Sequence, residues 1–165
     1  MIDSISQVFS FIGKSAGDFS FLFVFFALSL GVGFLFGRWK LVNILINIYI
    51  ALAFVGVLSV GFLGSSVYGE LITFLAVLIF LTATDDRLFD IHIASAGTDF
   101  FWRLFVMSIL VTGFFVSTLF SFFPEKIVLS YISPAIYGLF ATPIAEIVWM
   151  TIPLLVLLFI NNRLK

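Results

Sequence analysis

The densest group of ionisable side chains in the sequence is Asp85, Asp86, Arg87, Asp90 and His92, which spell D-D-R-x-x-D-x-H. Paired carboxylates beside a membrane surface can hold Mg²⁺, which keeps several of its waters and takes one or two protein carboxylates plus substrate phosphate oxygens. An enzyme that modifies lipid diphosphates would use Asp85, Asp86 and Asp90 in this way as metal ligands. No second aspartate-rich segment accompanies them. The plainer expectation is that these charges solvate the end of a helix. His92 is the only histidine. By itself it builds no metal site, and a pH-sensing role has no identified partner.

Glu146 is the second candidate. An acid inside an apolar helix is a functional-site hypothesis by default, and it would serve as an ion- or proton-coupling group. At a helix start, however, an acid also complements the helix dipole and can reach the headgroups. Asn43 and Asn47, four residues apart, share a helix face. They either bond across to a neighbouring helix or line a polar cleft, and interhelical bonding is the expectation. The most regular pattern is one of small residues. Gly33 and Gly37 form G-x-x-x-G with Gly31 alongside, and Gly113, Ser117 and Ser121 recur at intervals of four, flanked by Ser108 and Thr112. Such ridges let helices approach closely, within one chain or between chains.

These residues sit in a sequence that is 62% hydrophobic and 10% charged. A soluble domain is about a quarter charged. The expected fold class is therefore all-α, a polytopic integral membrane protein of about five transmembrane helices with short interfacial helices, since each span takes roughly 20 residues. A net charge of -1 offers no basic field, so nucleic acid is not an expected partner. The absence of cysteine excludes disulfides, cysteine zinc sites and thiol catalysis. No catalytic residue and no cofactor is assigned. The 24 phenylalanines read as lipid-facing surface.

Along the chain, residues 1–18 read as an amphipathic N-terminal segment that could lie in the interface, loosened by Gly13 and Gly17. No cleavable signal is expected, because Asp3 and Asp18 fall in the first eighteen residues and the following apolar run is too long. Residues 19–165 form a helical membrane domain, with spans expected near 19–37, 41–63, 66–84, 101–123 and 143–160. Arg38, Trp39 and Lys40 make a tight turn between the first two. The third is short, since only residues 71–84 separate Glu70 from Asp85. Pro124 stops the fourth. Residues 127–141 read as an interfacial or re-entrant piece in which Ser133 caps a helix and Pro134 takes its first position. Thr142-Pro143 repeats that signal, and Pro153 is expected to kink the last span. Trp39 and Trp102 would belong to one aromatic belt, and Tyr68, Tyr131 and Tyr137 to the other. Five spans put Arg38, Lys40, Arg87, Arg103, Arg163 and Lys165 on one side and Lys14 and Lys126 on the other. The side rich in Lys and Arg is cytoplasmic, so the N-terminus is expected outside and the C-terminus inside, in a cytoplasmic (inner) membrane.

The G-R-W-K turn, the short third span and the closing L-F-A-T-P-I-A-E-I-V-W-M-T-I-P-L-L resemble small polytopic membrane proteins of candidate-phylum bacteria. The resemblance implies a bacterial cytoplasmic-membrane protein and transfers no functional residue. In size the chain is also similar to colicin V production proteins, without a diagnostic motif of that family. The functional expectation is a non-enzymatic structural or accessory membrane protein. Its partners would be the bilayer and either copies of itself or other membrane subunits. The alternatives are an oligomeric channel or small transporter subunit, and the Mg²⁺-dependent lipid-modifying enzyme.

Overall fold

The computed structural model describes residues 2–59, 67–88 and 100–162. Every element among them is helical: α1 (Ile2–Ser59), α2 (Val67–Leu88), α3 (Phe100–Ser121), α4 (Glu125–Tyr131), α5 (Pro134–Phe140) and α6 (Pro143–Asn162).

The helix α1 is in fact two arms, because Gly37 interrupts it at φ 65° and ψ 173°. This backbone conformation is open essentially to glycine alone. The break falls where the sequence places its first turn, but it takes one residue rather than a loop. Gly13 and Gly17, expected to loosen the chain, stay helical. A glycine inside a helix costs about 1 kcal/mol and does not by itself end it.

Three helical stretches are long and apolar enough to cross a membrane: Gly17–Gly37, Lys40–Leu58 and Leu104–Ser121. The pair Pro134–Phe140 and Pro143–Phe159, bent by 45°, makes a fourth if taken as one broken span. Tyr68–Thr84 is apolar but shorter. Of the expected five, length and composition mark three or four among the described residues. The difference lies in the charges near the ends of α2, which shorten its apolar stretch.

Contacts fix how the helices run. Phe21 meets Phe120 at 6.2 Å between ring centroids, and Gly33 lies against Ser108, so the first arm is antiparallel to α3. Leu28 and Val32 of the first arm and Ile44 and Ile48 of the second line one groove, so the arms fold back on each other. Phe74 of α2 packs on Phe122 at 5.4 Å, while Leu78 and Thr82 sit at the level of Val111 and Thr112, which makes α2 antiparallel to α3. The core forms where these helices meet. Leu41, Leu45, Ile48 and Ala51 pack with Phe74 and with Met107, Val111 and Phe114. A smaller cluster joins Phe25 to Ile136 and Phe140 under α5.

The turn chemistry between α4 and α6 follows the sequence. Ile136 N–H donates to Ser133 Oγ at 3.2 Å with Pro134 in the first helical turn. Ala145 N–H donates to Thr142 Oγ1 at 3.2 Å in the same manner. Ser and Thr at these positions satisfy donors that the first helical turn leaves free. The helix α6 continues through Pro153, which is fully buried.

What holds α6 against α3 is a missing side chain. A Cβ on Gly113 would overlap the six-membered ring of Trp149. That indole stacks on Phe140 with centroids 5.2 Å apart and planes 9° apart, and its Nε1–H donates to the Leu139 carbonyl at 2.9 Å. One aromatic side chain therefore ties α3, α5 and α6 together.

Two substitutions separate the roles of these glycines. Gly113→Ala should lower stability by about 1–3 kcal/mol by overpacking against the ring. Gly31→Ala, where a Cβ meets nothing within 4 Å, should raise it by up to about 1 kcal/mol through helix propensity. Thermal unfolding in detergent reads both signs. Gly37→Ala should cost about 1–2 kcal/mol, since a Cβ is disfavoured at positive φ, and the same assay checks it.

Candidate functional site

The structure takes the sequence candidates to different places. Asp85 and Asp86 fall in the last turn of α2, while Asp90 and His92 lie outside the described residues, as do the side chains of the whole acidic segment. Among the described residues no three His, Asp or Glu side chains converge as a metal site. Glu146 stands half-buried in the first turn of α6. Asn43 is half-buried, but Asn47, one turn on, is 1% exposed.

The small residues have specific neighbours. Gly33 lies on Ser108 and Gly113 on Trp149. Ser117 Oγ–H donates to the Phe140 carbonyl at 2.6 Å, and Ser121 Oγ–H to the Thr118 carbonyl at 2.9 Å. Gly31 and Gly37 have nothing within 4 Å of where a Cβ would stand. The structure thus places Gly33, Gly113 and Ser117 in contacts within the chain.

What the structure brings together is a buried polar seam. The register set by Gly33 on Ser108 and by Phe21 on Phe120 puts Ser29, one turn before Gly33, level with Thr112, one turn after Ser108. Ser29, Ser108 and Thr112 are all buried, and none of their hydroxyls has a hydrogen-bond partner among the described residues. Thr118 shares both properties, further along α3. On the second arm, neither amide atom of Asn47 is partnered. A hydroxyl in a helix can turn to its own i−4 carbonyl. A carboxamide brings two N–H donors and an acceptor oxygen, which that turn does not satisfy. Leaving such a group unpaired in an apolar core costs about 1–3 kcal/mol. Asn47 is therefore the strongest single signal of a site in the described bundle. Ser29, Asn47, Ser108 and Thr112 contain no ionisable group, so what they offer is hydrogen-bond donors and acceptors rather than a titrating acid or base.

Beside the seam opens an apolar groove of about 630 Å³ between both arms, α2 and α3, with Thr112 on its wall. The sequence reading missed Ser29, although its spacing of four from Gly33 continues the ridge. It also missed that Trp149 is a structural tie. Tyr49, whose hydroxyl donates to the Met150 carbonyl 101 residues away, carried no local signal.

No protein-family model, no curated protein and no solved structure matches this chain.

Proposed function

We propose that the chain is a non-enzymatic integral protein of the cytoplasmic membrane, structural or accessory in role, that associates in the bilayer with copies of itself or with other membrane subunits. The observation that carries this reading is the 630 Å³ apolar groove, open along the bundle and walled by residues such as Val32, Ile48, Ile79 and Phe115. A slot of this kind suits the ridge of another apolar helix. Association in lipid rests on van der Waals fit, because hydrocarbon is as apolar as the side chains themselves.

The same reading takes five spans, with the N-terminus outside and the C-terminus inside. Its support is directional. The second arm and α3 both run opposite to the first arm, and the opposite direction of α2 supports its reading as the returning span. Twenty-two helical residues at ~1.5 Å each reach ~33 Å, enough for a hydrocarbon core of ~30 Å. Glu70 and Asp85 are only ~22 Å apart along the axis, so the faces lie nearer the two ends of the helix.

A second reading, a channel or small transporter subunit, draws on the unpartnered seam and on the proline-opened pair α5 and α6. Discontinuous helices are tolerated at membrane depth where protein or a cavity surrounds them.

Native mass spectrometry of gently solubilised protein should give a defined oligomer, and Ala83→Trp, which fills the groove from α2, should reduce it to monomer. A monomeric wild type recovered without any partner would overturn the association reading. Asn47→Leu discriminates further. If the role is packing, the variant should be more stable by about 1–3 kcal/mol, because an unpaired amide has been removed, and should retain its oligomeric state. A stable variant with altered ion conductance in planar bilayers would favour the transport reading instead.

A further inference from the structure

At the end of the bundle where the first apolar stretch begins, a cavity of about 510 Å³ lies between the start of that stretch and the connection from α4 to α5. Its size falls within the ~300–1,000 Å³ of ordinary ligand sites. The lining is graded. Phe21 and Ile136 form an apolar floor, while Asp18, Ser130, Tyr131 and Ser133 stand around them. Two of these hydroxyls are already used: Ser130 Oγ–H donates to the Ile127 carbonyl at 2.6 Å, and Ser133 Oγ accepts from Ile136 N–H. Asp18, half-buried, is the one charged side chain on the wall among the described residues. A half-buried carboxylate on a partly apolar wall is a counter-charge for an organic cation.

We propose that this cavity takes the ammonium-bearing headgroup of a zwitterionic lipid, with Asp18 as its counter-charge and Phe21 and Ile136 against the start of the tails. The depth fits, since Gly17 and Asp18 open the apolar stretch and so stand at headgroup level. The inference rests on the membrane reading above but not on the oligomer. Lys14 precedes Asp18 by four residues, the spacing at which a helix can pair the two charges, so the test removes each charge in turn.

The full chain is reconstituted into nanodiscs of mixed phosphatidylethanolamine and phosphatidylglycerol, and retained lipid is counted by native mass spectrometry after release. Wild type should retain phosphatidylethanolamine preferentially. Asp18→Asn should lower that retention about tenfold or more, the scale of one charge-assisted hydrogen bond. Gly17→Leu places a side chain where a Cβ meets nothing within 4 Å; it should fill the mouth and lower retention with helicity unchanged. Lys14→Gln should leave retention equal or higher. Phosphoethanolamine without tails, added in excess, should not displace the lipid. Equal retention of both lipids, full retention by Asp18→Asn, loss in Lys14→Gln, or displacement by the tailless headgroup would each overturn the assignment. Recovery of the protein in the aqueous fraction without detergent would instead overturn the membrane reading itself.

Discussion

The bundle depends on how closely α3 can be approached. Its surface is notched where Gly113 has no side chain and lined with small hydroxyl residues at Ser108, Thr112 and Ser117. Trp149 occupies the notch, and its indole reaches the last turn of α5. The first arm crosses α3 where Gly33 meets Ser108. Tyr49 stacks on Phe114 at 4.6 Å while its hydroxyl reaches α6. Each of these contacts needs two backbones to come close. Where apolar side chains face apolar surroundings, close fit rather than hydrophobic transfer is what favours association. Gly113 is therefore placed where the Trp149 indole must enter, and Ser108 where the backbone of the first arm passes at Gly33.

The same closeness has a polar consequence. Small residues that permit tight packing are often serine and threonine, and their hydroxyls travel into the interior with them. Ser117 finds the Phe140 carbonyl across a helix, whereas the buried hydroxyls of Ser108 and Thr118 find no partner among the described residues. Neither does Asn47, and its burial stands against the general rule that buried polar groups are paired. Ser29 and Thr112 meet the same fate at the crossing of the first arm and α3. The groove that runs past Thr112 joins this polar seam to the apolar surface of the bundle. The residues that permit close packing here are therefore also the ones that carry polar groups into the interior.

The termini of the short helices follow a different logic. There the backbone, rather than the side-chain fit, sets the outcome. Ser133-Pro134 and Thr142-Pro143 each supply an acceptor for a free N–H and a residue whose missing N–H costs nothing at a helix start. They split the chain after α3 into α4, α5 and α6 and set the 45° bend before the last long helix. That arrangement also closes one end of the bundle over Asp18 and Phe21.

What the sequence determined by itself was local in range. The apolar content called for helices suited to a membrane, because backbone polar groups in hydrocarbon must be satisfied within the segment. The caps at Ser133 and Thr142 and the break near Gly37 were legible for the same reason: each depends on residues within one turn. The spacing of Gly33 and Gly113 announced close packing but not its partners. Only the tertiary structure decided that Gly33 meets Ser108, that Gly113 receives Trp149, and that Ser29 is level with Thr112. It alone set the direction of α2 and gathered Asp18 with the connection between α4 and α5. These outcomes join residues more than a hundred positions apart in the case of Asp18, and no periodicity along the chain encodes which distant face will fill a given notch.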